Sequence, residues 1–329
     1  MEQHNLDVVV TRGDAVESVH QVHAAVVDAR DRLVGGAREA GQRTFWRSCA
    51  KPFQVMPLLA SGGFDELPWA LDELALACAS HGGEPEHVDV AMSMLQDIGR
   101  EEGDLVCGAH DPLSSRGARL VRENGIRLSR LHNNCSGKHA AMLAFAHTSG
   151  WTMDGYEKRD HPVQQAASAS VAEWTGMPES ALDVAIDGCG VVVFGLPLEA
   201  MARAYARLAA AYRRGDEIPR RVLDAIRARP HLFGGTDRFD TVLLEETDGN
   251  VLAKIGAEGV HSVAVLDAGL GIALKVADGA ARAQFPAVLR ALQLVGALPE
   301  SLPPRLAEIL VRPVRNTRGE RVGVVAPAA

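Results

Sequence analysis

Two periodicities divide the chain. β-Branched residues recur over 5–11 and 17–28 as they do in strands, and the turn signal Arg12-Gly13-Asp14 lies between them, which predicts a hairpin. A further turn is expected over 28–36. Beyond it, Val55, Leu58 and Leu59 share one helical face within 51–60. Helices are also predicted over 69–79, 85–99, 138–148, 161–176 and 196–227; the second follows Gly82-Gly83 and carries Pro85 in its first turn. Polar runs at 107–115 and 131–137 interrupt this region, and 181–194 reads as a loop around the corner Gly188-Cys189-Gly190. From 240 onward the pattern changes back, with short strands at 251–255, 261–266 and 272–277 and then a helix over 280–296. Strands at both ends of a helical middle (about 51–239) predict an α+β chain of one domain over 1–329, whose termini share a mixed antiparallel sheet. Only the tail from Pro303-Pro304 resembles a linker.

Composition narrows the partners. The chain has 329 residues, 47% hydrophobic and 23% charged, the proportions of a folded globular protein. At this length about three quarters of the unfolded surface can be buried, so no disulfide or metal is needed for folding. Apolar runs fall well short of the ~20 residues of a membrane helix. The start Met1-Glu2-Gln3-His4-Asn5 has no basic segment followed by an apolar one, so a soluble, unexported chain is expected. A net charge of −8 with scattered arginines argues against a nucleic-acid partner. Five cysteines without a CxxC pair fit reduced thiols in a cytoplasm.

Only five of 34 basic residues are lysine: Lys51, Lys138, Lys158, Lys254 and Lys275. Where arginine serves for positive charge, a surviving lysine is a candidate for work that requires losing a proton. Ser48 and Lys51 stand three apart where a loop enters a helix, the spacing of a serine nucleophile with a lysine base; an N-capping serine and a surface lysine would look the same. Ser80-His81-Gly82-Gly83 sets a second serine in a glycine-rich turn, where it could equally cap the next helix. Lys254 precedes the turn Gly256-Ala257-Glu258-Gly259, which also suits a plain hairpin. The run from His132 to His139 is dense in polar and ligating groups, and with Cys189 it offers two thiols and a nitrogen, a possible zinc set with one open position.

Taken in order, RSCAKPFQ (47–54), ASHGGEPEHV (79–88), CGAHDP (107–112), HNNCSGKHAAML (132–143), DGCGVVVFGLPL (187–198) and KIGAEGV (254–260) resemble the asparaginase II family, the rhizobial-type L-asparaginases. The resemblance implies a fold like serine β-lactamases and penicillin-binding proteins, a homodimer, and hydrolysis of L-asparagine to L-aspartate and ammonia. It implies two Ser-Lys pairs, Ser48 with Lys51 and Ser80 with Lys254, and a zinc site at Cys135, Lys138 and Cys189. Three of the five lysines thus receive roles. Ser48 is the expected nucleophile and Ser80 the competing assignment. Asp187 and His139 are expected to hold the substrate's α-ammonium and α-carboxylate, with Arg47 as a further carboxylate ligand. Rival activities are a glutaminase, since one methylene separates the substrates, and a β-lactamase-like acyl hydrolase. The latter lacks support from a Ser-Asp-Asn or Lys-Thr-Gly motif, the corresponding turn reading Lys254-Ile255-Gly256. A non-catalytic amino-acid or zinc-binding module is the reading from a different class.

Overall fold

A computed structural model describes residues 2–328. The chain divides into two compact units. The first comprises the chain up to Cys49, Leu196–Arg213, and everything from Val242 onward; the second comprises Ala50–Gly195 and Arg214–Thr241. The fold is α+β. Among the described residues, no helix is long and apolar enough to cross a membrane.

The first unit is built on a six-stranded sheet in the order Glu2–Gln3, Leu33–Ala37, Val22–Val27, Leu270–Val276, Val260–Val265, Val251–Ile255. All neighbours are antiparallel except the first pair, which is parallel. Val22–Val27 pairs with Leu270–Val276, Ala25 facing Ala273, so both ends of the chain share the sheet as the sequence predicts. The strands predicted at 251–255, 261–266 and 272–277 are present, and the turn after Lys254 is indeed that of a hairpin.

The N-terminal hairpin differs from expectation. The segment 17–28 is not one strand: it breaks at Gln21, Ala15–His20 pairing with Val8–Arg12 and Val22–Val27 passing to the six-stranded sheet. The reason lies in the faces. Val16 and Val19 remain exposed, whereas four successive residues from Ala24 to Val27 are buried, as on a strand covered on both sides. Nor is the tail a linker. It forms helix Pro304–Leu310 and strands Arg312–Arg315 and Arg321–Pro327, the last pairing with Val8–Arg12.

The second unit is mainly helical. Helix Ser136–Thr148 is buried from Ser136 through Ala146 and contacts helices Lys51–Ala60, Leu71–Ala77, Pro85–Gln96 and Pro162–Thr175. Its first turns carry Ser136, Lys138 and His139 into that interior, and polar groups so placed need partners. The stretch 181–194 is not a loop. It is a hairpin, Asp183–Ile186 with Val192–Pro197, in which Ile186 faces Val192 and Asp187-Gly188-Cys189-Gly190 belongs to the turn. The single helix predicted over 196–227 is interrupted at Gly215, whose φ of +80° ends Leu198–Arg214 before Glu217–Ala228 begins.

Candidate active site

Lys51 opens its helix with Pro52 in the first turn, and its side chain runs inward; only 1% of the residue is exposed. Its Nζ donates to the carbonyl of Ala79 and, at 3.1 Å, to that of Asn134, and lies 3.2 Å from Ser80 Oγ. Two carbonyls can only accept, so they take two of the nitrogen's hydrogens. The third tetrahedral direction faces the serine. There an ammonium gives a hydrogen to Oγ, and a free amine offers its lone pair to the hydroxyl hydrogen. Sequence spacing pairs Lys51 with Ser48; the fold brings it the hydroxyl of Ser80.

Ser80 is itself buried, in the irregular stretch after helix Leu71–Ala77. Its neighbour His81 fixes that stretch. Gly83 N–H donates to His81 Nδ1 at 3.2 Å, so the ring proton is on Nε2, which meets Ser136 Oγ at 2.9 Å; Ser136 Oγ donates to the Leu131 carbonyl at 3.0 Å. Burial holds His81 well below its ordinary pKa, which keeps it neutral. This strut ties the Ser80 turn to the start of helix Ser136–Thr148, a role the sequence does not announce.

Cys135 occupies the N-cap position of that helix and Lys138 lies one turn on; Cys189 reaches them from the hairpin turn, its Sγ 3.0 Å from Lys138 Nζ. All three are buried. A hydrogen bond from Cys135, supported by the Lys138 charge, holds the Cys189 thiol down to about 4, so Cys189 is a thiolate. The same bond, followed by burial, pushes Cys135 up to about 12. Burial opposes charge on Lys138, but Cys189, Cys135 and Asp187 outweigh it and raise its pKa. Asp187 starts the turn and accepts from Gly188 N–H at 2.7 Å. Two sulfurs, one already ionised, and a lysine nitrogen, which would give up its proton on binding, are donors of the kind zinc takes, with a fourth position left for another ligand. The helix start that carries two of them depends on Gly137, where a Cβ would sit 2.5 Å from the Leu76 carbonyl oxygen.

His139, next along the helix, is fully buried, its Nδ1 2.6 Å from the Tyr156 hydroxyl. Tyr156 belongs to no motif, and nothing in the sequence marks it.

The remaining candidates are in the first unit. Arg47 has a φ of +54°, unusual for a long side chain, and leads into the short 3-10 turn Arg47–Ala50 in which Ser48 is half-buried. That turn is held on each side of Ser48. Trp46 Nε1 donates to Ser262 Oγ at 2.9 Å, and Ser262 is the cross-strand neighbour of Lys254. Cys49 Sγ donates to the Lys254 carbonyl at 2.9 Å, and Tyr205 Oη to the Cys49 carbonyl at 2.8 Å. Gly256 permits the close approach, because a Cβ there would lie 3.1 Å from both Cys49 Sγ and the Trp46 carbonyl oxygen. Lys254 is completely buried, with Nζ donating to the Ile255 carbonyl at 3.2 Å.

Among solved structures the chain is similar to a β-lactamase from Mycobacterium bovis, at 11% identity and a TM-score of 0.38 over 84% of this chain and 95% of that one. It is similar to a protein from Bacteroides dorei, also described as a β-lactamase, at 11% identity and a TM-score of 0.40 over 87% and 93%. A mutant simvastatin synthase from Aspergillus terreus matches at 12% identity and 0.38 over 78% and 86%. No curated protein matches the sequence. The model of the L-asparaginase II family matches residues 8–327. That span takes in the Ser80 turn, the cysteine-lysine cluster and the Lys254 strand alike, and the chain belongs to the L-asparaginase II family.

Proposed function

We propose that the protein hydrolyses L-asparagine to L-aspartate and ammonia by serine-lysine nucleophilic catalysis beside a zinc site. The observation that supports the chemistry most directly is the buried Lys51 Nζ, 3.2 Å from Ser80 Oγ with carbonyls occupying its other two directions. A carboxamide is a weak electrophile with a poor leaving group. Ser80 Oγ attacks the side-chain amide carbon while Lys51, as free amine, takes the hydroxyl proton. Lys51 then returns that proton to the nitrogen, the C–N bond breaks, and ammonia leaves an aspartyl ester on Ser80. Water, giving a proton to Lys51, attacks the ester; the Ser80–acyl bond breaks and the proton passes back to Oγ.

Asp187 accepts hydrogen bonds from the substrate's α-ammonium, and His139 and Arg47 serve the α-carboxylate. Cys135, Lys138 and Cys189 would hold zinc, which when bound supplies positive charge that orients the substrate and steadies the oxygen of the tetrahedral intermediate. Ser48 and Lys254, which the resemblance pairs with Lys51 and Ser80 respectively, serve as the remaining hydroxyl and amine that move protons. A second reading makes Ser48 the nucleophile. The left-handed Arg47 immediately before it favours that, because strained backbone beside a nucleophile aims its hydroxyl. A homodimer in the cytoplasm completes the proposal.

Ammonia release decides between activities. L-Asparagine is expected to be the best substrate, L-glutamine a weaker one, and nitrocefin inert. Ser80→Ala should lower release about a thousandfold or more. Intact-mass and peptide mapping of a trapped acyl-enzyme separates Ser80 from Ser48. Absence of ammonia release from purified, zinc-loaded protein overturns the proposal in favour of a binding module.

A further inference from the structure

The two ring nitrogens of His139 are unlike. Nδ1 meets Tyr156 Oη at 2.6 Å, with the rings edge to face at 86°, while Nε2 is buried and has no hydrogen-bond partner. Tyr156 is 1% exposed, and its Oη also accepts from Val106 N–H at 3.0 Å. Protons can be placed in two ways. If Nδ1–H donates to Oη, the phenol hydrogen has no acceptor and bare Nε2 has no donor, so two buried groups go unmatched. If Oη–H donates to a bare Nδ1, only Nε2–H is unmatched. Burial raises the Tyr156 pKa, so its hydroxyl keeps the hydrogen it has to give.

We propose that Tyr156 is a positioning residue that locks His139 in the Nε2–H tautomer, making His139 a fixed hydrogen-bond donor to a carboxylate or carbonyl oxygen of the ligand. A nitrogen that carries a hydrogen can neither ligate a metal nor act as base. His139 is thereby kept out of the neighbouring cysteine-lysine cluster even though it follows Lys138 directly. The one unmet group in this arrangement is a donor, and the acceptor that completes it arrives with the ligand. On the asparaginase reading, on which this assignment of the acceptor rests, that atom is an oxygen of the α-carboxylate.

Long-range 1H–15N correlation spectra report the tautomer of each of the twelve histidines without reference to turnover. In metal-free and in zinc-loaded protein, His139 is expected to show a bare Nδ1 and a protonated Nε2. Added L-aspartate should move the Nε2–H resonance. A protonated Nδ1 with bare Nε2 overturns the proposal, whether or not the protein releases ammonia. An Nε2–H that ignores L-aspartate in a protein that does hydrolyse L-asparagine overturns the donor role. Tyr156→Phe keeps the ring and frees Nδ1. It should give mixed tautomers and raise KM for L-asparagine about tenfold, with kcat within about twofold. A fall in kcat at unchanged KM, with the tautomer intact, assigns Tyr156 some other function.

Discussion

Lys51 shows how much one buried nitrogen is asked to do. It bonds two backbone carbonyls that have to be satisfied and faces a hydroxyl that has to be activated. Lys51→Met separates these demands, because it fills the volume and removes every hydrogen. Leaving buried carbonyls unmatched should cost about 1–3 kcal/mol each at most, readable by urea denaturation. Ammonia release should fall about a thousandfold, more than the fold disturbance accounts for. Another buried residue contributes to the protein's acid sensitivity. His87 accepts from Glu84 N–H at 3.1 Å and donates from Nε2 to the His231 carbonyl at 2.9 Å, and burial pushes it down to about 4 from 6.5. Between those values the unfolded chain binds a proton that the folded chain refuses, so stability rises with pH in that window. The contribution is complete above about pH 6.5 and lost as pH falls towards 4. Melting curves across that range should slope accordingly, and His87→Asn, which cannot titrate, should lessen the slope by one proton's share and leave the part due to buried His81 and His139; an unchanged slope removes His87 from the acid sensitivity.

Elements meet where glycine lets them. On strand Leu270–Val276, a Cβ at Gly271 would overlap the carbonyl oxygen of Ala202 and the amide nitrogen of Ala206, so helix Leu198–Arg214 lies directly on the sheet. Gly271→Ala must push the helix away, at about 1–3 kcal/mol or more in denaturant. Gly137→Ala acts at the Leu76 carbonyl and should disturb Cys135 and Lys138, lowering zinc content together with stability; loss of stability with full zinc content would separate that helix start from the metal. Such contacts mark the limit of what periodicity can tell. Helix Lys51–Ala60 has the predicted bounds because its signals are local: Pro52 in the first turn, one apolar face, and glycines past its end. The split at Gln21 and the strand Arg321–Pro327 were hidden because they depend on partners far away in sequence, such as Val325 facing Val10. The site divides similarly. Motifs mark Ser80, Lys138 and Cys189 individually, but the Lys51 to Ser80 contact spans 29 residues and the Tyr156 to His139 contact joins a motif residue to one without any mark.

At the scale of the whole molecule, the proposed zinc is an occupant of the fold and not its foundation. Both units carry extensive apolar cores, and the cysteine-lysine cluster is pinned independently by the packing of helix Ser136–Thr148 and by the hairpin pairing of Ile186 with Val192. Without metal, the thiolate of Cys189 and the ammonium of Lys138 neutralise each other at 3.0 Å, so emptying the cluster exposes no unpaired buried charge. Chelation should therefore leave the far-ultraviolet circular dichroism unchanged. Metal at a thousand times its Kd adds about 4 kcal/mol by mass action. For a chain of this length that corresponds to a Tm lower by roughly 5–10 °C after chelation. KM for L-asparagine should rise more than kcat falls, since the metal's part is orientation. Cys189→Ser should bind well under one zinc per chain and reproduce the chelated protein in both respects. Unfolding on chelation, or a drop in kcat equal to the loss of fold, would make the metal a structural element and remove it from the catalytic scheme.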